Sequence, residues 1–221
     1  MGSIRERIRV YGNGWLGRLI ARYFQTTVST VDITQPAELV EDMREHGTEV
    51  AINTAAKTGR PNVDWCDKPE NIGPTMLSNM IGPATLMRAC QSVGARLVHL
   101  STTYVYESNA PEPEGFTEAT QPLVTTAGHM YARSKAFGDM ALLCFPGNLI
   151  LRINLPMDAE PHDRNFITRL AGYPEVQDVR HSLTTVPTLM PVMSSLITRR
   201  ASGVYHVVHS DTVTNGELIA W

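Results

Sequence analysis

Lysine and cysteine are both scarce in this chain of 221 residues, which contains three of each. Because arginine supplies the rest of the positive charge, a lysine that stands at a functional spacing is informative. An odd number of widely spaced cysteines predicts neither a disulfide framework nor a metal site, so no metal is expected and a reducing cytoplasm is the expected location. The cysteines are Cys66, Cys90 and Cys144.

Long apolar runs and basic runs are also missing. No stretch approaches the roughly 18 consecutive apolar residues of a membrane-spanning helix, so no membrane association is expected. The N-terminal segment has no apolar signal-peptide core, and Glu6 stands where an N-myristoylation signal has Ser or Thr. With a net charge of -3 and no cluster of Lys and Arg, a nucleic-acid partner is not expected. A content of 43% hydrophobic and 19% charged residues predicts a globular chain with a sizeable core.

Apolar runs of strand length alternate with segments of helical spacing along the chain. Strands are predicted at 8–11, 49–53, 96–100, 148–153 and 203–208. Helices are predicted from residue 16 to 23 and at 36–46, 75–93, 128–144, 165–171 and 187–197, with a loop at 107–126 and the start of a helix at 217–221. This alternation predicts an α/β fold, a Rossmann-type doubly wound parallel sheet. A boundary is expected near residue 156, so that 1–156 form the sheet domain and 157–221 a small C-terminal substrate lobe over the carboxyl edge of the sheet.

The first strand leads into a glycine motif. Gly12, Gly14 and Gly17 form G-x-G-x-x-G between a strand and a helix, the context in which backbone N–H groups and a helix N-terminus bind a pyrophosphate. A tight turn without a ligand is the alternative interpretation. The acid that binds a ribose hydroxyl should follow about 20 residues on. Residues 26–31 contain none and Asp32 comes late, so the choice between NAD and NADP stays open.

Two further groups of side chains suggest acid–base chemistry. Tyr131 and Lys135 are four residues apart, which places them on one face of a helix, and an ammonium near a phenol is expected to lower the phenol pKa. A surface Tyr–Lys pair is the alternative. Ser101, Thr102 and Thr103 follow a predicted strand, where parallel sheets collect functional polar groups, although hydroxyls there also cap strand ends.

These motifs carry a family resemblance over essentially the whole chain. The segments GNGWLG (12–17), NTAAKTG (53–59), LSTTYVY (100–106) and YARSK (131–135), in this order, resemble the extended short-chain dehydrogenase/reductases, and among them the dTDP-4-dehydrorhamnose reductases. The segments TGRPNVDWC (58–66) and RNFITR (164–169) are similar to the bifunctional nucleotide-4-keto-6-deoxyglucose 3,5-epimerase/4-reductases of UDP-rhamnose synthesis.

The resemblance implies a reaction and a role for each matching residue. Hydride from NADH or NADPH, bound by the 1–156 domain, would reduce the C4 keto group of a nucleotide-linked 4-keto-6-deoxyhexose. Tyr131 would be the general acid, Lys135 its tuner and a ribose ligand, and Thr102 the hydroxyl that orients the carbonyl. The implied cofactor contacts are Gly12, Asn13, Gly14, Trp15, Leu16, Gly17, Asp32, Ile33, Ala55, Ala56, Lys57, Tyr131 and Lys135. The implied substrate contacts are Arg60, Asn62, Thr102, Thr103, Arg164 and Asn165, and a homodimer is one possible assembly.

Two departures from the bifunctional relatives bear on epimerisation. Tyr104 stands where those proteins have a cysteine, and Arg169 stands where they have the lysine that closes the NFIT segment. The two missing residues are implied to transfer the epimerase protons, and a phenol and a permanently charged guanidinium are poor substitutes. Epimerase activity is therefore in doubt, whereas the 4-ketoreductase residues are all present. Cys66 is interpreted as structural.

Other functions remain as alternatives. The same fold occurs in the regulatory beta subunit of methionine adenosyltransferase, so a non-catalytic reductase-like binding subunit is one of them. Intact Thr102, Tyr131 and Lys135 argue against it. Nucleotide-sugar epimerases and dehydratases share the fold too, but a 4,6-dehydratase has acids beside the active-site threonine, where this chain has Thr103.

Overall fold

The fold is organised around a six-stranded sheet in which all neighbouring strands are parallel, in the order β2-β1-β3-β4-β5-β7. The computed structural model describes residues 7–106, 115–122 and 128–220. A separate antiparallel pair joins β6 and β8. The strands are β1 (Ile8–Tyr11), β2 (Val28–Ser29), β3 (Val50–Asn53), β4 (Arg96–Thr102), β5 (Leu149–Ile153), β6 (Arg180–Ser182), β7 (Gly203–His206) and β8 (Thr212–Thr214).

Helices cover both faces of the large sheet, which confirms the doubly wound α/β prediction. One core lies between the sheet and helices α1 and α7, and the other lies between the sheet and α2, α4 and α5. Because both faces are covered, β3 (Val-Ala-Ile-Asn) is buried along its whole length. The helices are α1 (Trp15–Tyr23), α2 (Pro36–Glu45), α3 (Pro69–Met76), α4 (Gly82–Val93), α5 (Met130–Leu143), α6 (Phe166–Leu170), α7 (Val186–Thr198) and α8 (Asn215–Ala220).

The predicted helix at 75–93 begins too late. In the structure α3 starts at Pro69, where proline suits the first helical turn, and it continues into α4 through a π-helical turn, Leu77–Ile81. Pro74 lies inside this helix, a position at which proline normally interrupts helical hydrogen bonding. The other predicted helices and strands within the described residues are confirmed to within two residues at most ends, whereas β2, β6 and β8 were not predicted. The predicted loop at 107–126 lies largely outside the described residues.

The chain reverses direction across the sheet between β1 and β3. From β1 the connection through α1 runs to β2 on one side, and the next connection returns to β3 on the other side. In open parallel sheets such a reversal leaves a crevice at the carboxyl ends of the two strands, where ligands bind. The glycine turn after β1 and the segment after β3 border this crevice.

The residues after 156 divide between the two parts of the structure. Helix α7 and strand β7 pack on the large sheet, whereas α6, β6, β8 and α8 form a smaller group with its own apolar cluster around Phe166, Leu170, Leu183 and Leu218. A division into domains at residue 156 stays a prediction. Within the described part of the chain, none of the helices combines the length and apolar character needed to cross a membrane.

Candidate active site

A cleft lies at the carboxyl ends of β1, β3, β4 and β5, against α6. Its volume is about 500 Å³, and it brings together the glycine turn, the end of β4 and the first two turns of α5. The predicted site residues that line it are Gly14, Trp15, Leu16, Gly17, Ala56, Thr102, Tyr131, Lys135 and Arg164.

The structure requires glycine at two of the three positions in the turn, and for different reasons. Gly12 has φ +110°, and a Cβ atom there would lie 2.4 Å from the backbone nitrogen of Ala55. A Cβ on Gly17 would lie 2.0 Å from the carbonyl oxygen of Gly12, so no side chain fits between helix and turn. Gly14, in contrast, has φ -86°, and a Cβ atom there would have no neighbour within 4 Å, so the fold does not require glycine at this position. An open backbone at the N-terminus of α1 suits a pyrophosphate that must approach closely.

Thr54, which the sequence analysis missed, holds the glycine turn from the neighbouring strand. Its hydroxyl lies 2.9 Å from the Gly12 carbonyl oxygen and 3.1 Å from the Tyr11 carbonyl oxygen, and Thr54 lines the cleft. A polar residue directly after a buried strand was the available signal. These hydrogen bonds of Thr54 link the residue after β3 to the turn after β1, and so connect the two sides of the crevice.

Tyr131 is the second residue of α5, and its position depends on how this helix begins. The Asp67 carboxylate accepts a hydrogen bond from the Met130 backbone N–H at 2.7 Å and lies 2.8 Å from Nδ1 of His129. Asp67 thereby caps the helix one residue before Tyr131. Partial burial raises the pKa of Asp67, but the hydrogen bonds from Met130 and His129 outweigh that effect and leave the pKa below its usual range. Asp64, Asp67 and His129 cluster here, but all three are exposed.

The phenol of Tyr131 lies beside the hydroxyl of Thr102 in the cleft. Burial raises the pKa of Tyr131 to about 12, and the hydrogen bond with Thr102 only partly offsets that effect. The expectation of a lowered pKa is therefore wrong for this arrangement. A phenol of this pKa stays protonated near neutral pH, which suits a proton donor.

Lys135 is buried, with 2% of its surface exposed. Its Nζ atom donates to the Leu100 carbonyl oxygen at 2.8 Å and lies 3.1 Å from Nε2 of His99. Burial lowers the pKa of Lys135 to about 8, although the carboxylate of Asp139 acts in the opposite direction. Its amine is therefore close to its titration midpoint at neutral to mildly alkaline pH.

The π-helical turn carries a buried asparagine that joins two walls of the cleft. The Asn79 side chain accepts from the Lys57 backbone N–H at 2.7 Å, donates to the Lys57 carbonyl at 2.9 Å, and donates to Oγ of Ser134 at 3.0 Å. The Ser134 hydroxyl in turn donates to the Tyr131 carbonyl oxygen at 2.9 Å. The segment that contains Ala55, Ala56 and Lys57 is thus tied to α5, a link that the sequence analysis did not find.

Positive charge gathers on the small-lobe side of the cleft. Burial lowers the pKa of Arg164, and the nearby guanidinium groups of Arg60 and Arg169 lower it further. Arg164 donates to Oγ1 of Thr58 at 3.1 Å and to the Gly59 carbonyl at 2.9 Å. All three arginines border a neighbouring cleft of about 290 Å³. Three guanidinium groups that repel one another favour an anionic ligand between them.

An aromatic contact joins the glycine turn to the segment before α6. The rings of Trp15 and His162 are stacked, with centroids 5.4 Å apart and planes 12° from parallel. Together with the Arg164 bonds, this stack holds residues 158–164 against the glycine turn and the segment after β3.

Several predicted site residues do not line the cleft at the carboxyl ends of the strands. Asn165 is fully buried and donates to the carbonyl oxygens of Asp158 and Glu160, so it holds its own loop together. Asn62 caps the short helical turn Val63–Asp67 through the Asp64 backbone N–H. Ile33 is buried in the core. The remaining residues outside the lining are Gly12, Asn13, Asp32, Ala55, Lys57, Arg60 and Thr103.

The two positions that depart from the bifunctional relatives both lie in the cleft. Tyr104 has its ring centroid 6.3 Å from that of Tyr131 and 6.1 Å from that of His129. Arg169 donates to the Tyr173 hydroxyl at 2.5 Å. Burial raises the pKa of Tyr104, and the nearby carboxylates of Asp64 and Asp67 add to the rise.

Comparisons with known proteins found one family model and several relatives that match this chain. The family described as RmlD substrate binding domain matches residues 13–219. The trifunctional UDP-glucose 4,6-dehydratase/UDP-4-keto-6-deoxy-D-glucose 3,5-epimerase/UDP-4-keto-L-rhamnose-reductase RHM2 of Arabidopsis thaliana is 30% identical over 223 residues, which are 95% of this chain and 32% of that protein. The chain therefore spans about a third of that relative.

Two solved structures share the fold. The L780 UDP-rhamnose synthase from Acanthamoeba polyphaga mimivirus has a TM-score of 0.88 at 21% identity, over 96% of this chain and 78% of that one. The dTDP-4-dehydrorhamnose reductase from Bacillus anthracis, in complex with NADP, has a TM-score of 0.80 at 24% identity, over 100% of this chain and 82% of that one.

Proposed function

Because the chain belongs to the RmlD substrate binding domain family, we propose that it is an NAD(P)H-dependent reductase of the C4 keto group of a nucleotide-linked 4-keto-6-deoxyhexose. The observation that carries the proposal is a single cleft with the open Gly14 backbone at one end and the Thr102–Tyr131 pair at the other. The relatives named above include rhamnose-forming reductases, which makes dTDP- or UDP-4-keto-6-deoxyglucose derivatives the substrates to test.

The residues present fit a nicotinamide dinucleotide. Gly14 leaves backbone that a Cβ atom would cover, and Gly12 and Gly17 allow the turn to form, so the N-terminus of α1 would hold the pyrophosphate with Asn13, Trp15 and Leu16 beside it. Ala55, Ala56 and Lys57 would lie along the central part, Asp32 and Ile33 near the adenine, and Lys135 at a ribose. When bound, the dinucleotide supplies the hydride. Either NADP or NAD is consistent with these residues.

The chain's own residues supply the proton and the position of the carbonyl. As negative charge develops on the C4 oxygen, the Tyr131 phenol transfers its proton to that oxygen, and the Thr102 hydroxyl donates a hydrogen bond to it. The raised pKa of Tyr131 keeps the phenol protonated until that moment, and a sugar alkoxide is basic enough to take the proton.

The arginines give the substrate its orientation in this proposal. Arg164 and Arg60, with Arg169 nearby, would bind the diphosphate of the nucleotide sugar and leave the sugar ring toward Tyr131. Asn165 and Asn62 would support the substrate side indirectly, because their side chains hold the loops that contain them. Thr103 would lie next to Thr102, just after the end of β4. Residues 157–221 would in this way contribute the substrate side of the site.

We further propose that reduction occurs without 3,5-epimerisation. Proton removal at C3 or C5 needs a base and an acid beside the ring, and the cleft offers the Tyr104 phenol and the Arg169 guanidinium at the two relevant positions. Burial raises the pKa of Tyr104, so its phenolate is scarce near neutral pH. Arginine stays protonated and cannot accept a proton.

The test uses purified protein, NADH or NADPH, and an enzymatically prepared dTDP- or UDP-4-keto-6-deoxyglucose. Loss of nicotinamide absorbance is followed with and without an added 3,5-epimerase, and again with Tyr131→Phe. Oxidation only with added epimerase is the expected result. Oxidation without it would show that epimerisation survives, and ¹H NMR in D₂O would locate the exchange at C3 and C5. Cofactor binding without oxidation in any combination would favour the non-catalytic binding subunit.

A homodimer and a cytoplasmic location also belong to this proposal. The exposed apolar side chains Leu77, Ile81, Met140 and Leu143 lie on the π-helical turn and on α5, which contact each other. Sedimentation velocity of the purified protein at several concentrations tests the assembly.

A further inference from the structure

A chain of buried hydrogen bonds runs behind Lys135 and is not used in the reaction described above. It begins at the backbone N–H of Ala55, which donates to Oδ1 of Asn53 at 3.0 Å. Nδ2 of Asn53 lies 3.0 Å from Nδ1 of His99, and Nε2 of His99 lies 3.1 Å from Nζ of Lys135. Asn53 and His99 are both completely buried, so water cannot rearrange these contacts.

The direction of each hydrogen bond follows from the first one. A backbone N–H can only donate, so the Asn53 oxygen must face Ala55 and the Asn53 amide nitrogen must face His99. An amide NH₂ can only donate as well, so Nδ1 of His99 must be the acceptor. Burial holds the pKa of His99 well below its usual range, and the charge of Lys135 acts in the same direction, so the ring is neutral and carries its proton on Nε2.

The last contact then limits the protonation state of Lys135. The Nε2–H of His99 points at Nζ, and an ammonium group has donors only, so a charged Lys135 would set two donors against each other. An uncharged amine has a lone pair that accepts from His99, and it still donates to the Leu100 carbonyl at 2.8 Å. Every member of the chain is therefore paired only when Lys135 is neutral.

The charged groups around Lys135 compete with this preference. Asp139 and Tyr131 lie on its own helix, His99 faces it from β4, and Arg152 on β5 donates through Nε to Asp139 at 2.9 Å. Asp139 lies near His99 as well, with 4.0 Å between Oδ1 and Nε2. Because Arg152 partly neutralises Asp139, the carboxylate does not impose a permanent charge on Lys135.

We propose that Asn53 and His99 are positioning residues that favour the uncharged, hydrogen-bond-accepting form of the Lys135 amine over its ammonium form in the free protein. The inference rests on the proposed reductase function only for the use of Lys135 at a ribose, since the protonation state can be measured without cofactor or substrate. A ligand that brings acceptor oxygens to Nζ shifts the balance toward the charged form.

The test is a ¹³C NMR titration of protein labelled at lysine Cε, which is practical because the chain has three lysines. Lys57→Arg and Lys68→Arg, both at exposed positions, assign the other two signals. Lys135 is expected to titrate near pH 8, about two pH units below the usual value for a lysine. A Lys135 midpoint at the usual lysine value of about 10.4 would overturn the proposal.

Two variants test the chain itself. In Asn53→Asp a carboxylate accepts from both Ala55 and Nδ1–H of His99, so Nε2 becomes an acceptor and the Lys135 midpoint should rise by roughly one pH unit or more. Asn53→Ala frees the ring tautomer without adding charge and should shift the midpoint in the same direction by less. Asn148→Ala, which removes an amide that donates to Leu142 and Phe145 at the far end of α5, should leave it unchanged.

The variants separate this inference from the reductase proposal. If both Asn53 variants fold, by circular dichroism and thermal melting, and the Lys135 midpoint stays in place, the chain does not control Lys135. If the midpoint moves as expected but no 4-keto sugar is reduced, the positioning role stands and the proposed function fails. If reduction is observed, the Lys135-dependent limb of kcat/KM against pH should move with the NMR midpoint.

Discussion

The glycine turn gives a prediction in which stability and ligand binding separate. A Cβ atom on Gly17 would lie 2.0 Å from the Gly12 carbonyl oxygen and 2.6 Å from Oγ1 of Thr54, so Gly17→Ala must displace α1 from the turn. Overpacking of this kind costs about 1–3 kcal/mol or more. For a chain of this size each kcal/mol lowers Tm by about 2–4 °C, so we expect a fall of roughly 3–10 °C.

Gly14→Ala should behave in the opposite way. Its backbone conformation is open to alanine and no atom lies within 4 Å of the added Cβ, so the packing is unchanged. Alanine is a poorer N-cap than glycine, but it restricts the unfolded chain, and these effects leave a net change within about 1 kcal/mol. The new methyl group would occupy the approach of the pyrophosphate, so affinity for NADP or NAD should fall by at least about tenfold, equivalent to about 1.4 kcal/mol.

Differential scanning fluorimetry gives Tm, and isothermal titration calorimetry gives the dinucleotide affinity. Gly73→Ala is the matched control, because Gly73 lies in α3 with no atom within 4 Å of its added Cβ. Its dinucleotide affinity should equal that of wild type and its Tm should not fall, because alanine favours a helix interior over glycine. If Gly14→Ala binds the dinucleotide as tightly as wild type, the turn does not hold a pyrophosphate. If Gly17→Ala has the same Tm as the wild type, the close packing described above is wrong.

Three other outcomes follow from contacts already described. Tyr131→Phe should lower the reductase rate by about 10²–10⁴-fold while dinucleotide affinity changes little, which stopped-flow absorbance and calorimetry measure together; a near-normal rate would remove Tyr131 as the proton donor. Asp67→Ala should cost about 1 kcal/mol at neutral pH through the lost cap on Met130. Because the pKa of Asp67 is lowered, that contribution is present at neutral pH and is lost as the pH falls through the lowered value, so urea unfolding of the variant and wild type should converge in acid. Gly138→Ala places a Cβ 2.4 Å from the Asn79 carbonyl oxygen, so its Tm should fall, and an unchanged Tm would contradict the close approach of α5 to the π-helical turn.

The sequence predicted the sheet and the chemistry-bearing residues because their signals are local. Each strand is a short apolar run, and the glycine turn and the Tyr131–Lys135 spacing are each contained in a few consecutive residues. The sheet then brings them together without further information, since the carboxyl ends of parallel strands meet at one edge.

What the sequence did not predict depends on partners that are distant along the chain. Nothing local in Asn53 or His99 says that they meet across β3 and β4, although a polar residue in each buried strand was a signal. The pKa of Tyr131 was predicted in the wrong direction because burial, which depends on the whole cleft, outweighs any effect of a residue one turn away. Asn165 looked like a ligand contact because only the folded loop shows that its amide is already used.

The π-helical turn at Leu77–Ile81 accommodates one extra residue within one long helix. Removing a single residue there would restore regular winding and leave the residues that follow on nearly the same faces, so Leu86 and Cys90 would still pack in the core. A one-residue deletion in the regular part of the helix would instead rotate everything that follows by about 100° and misalign it against α2 and α5.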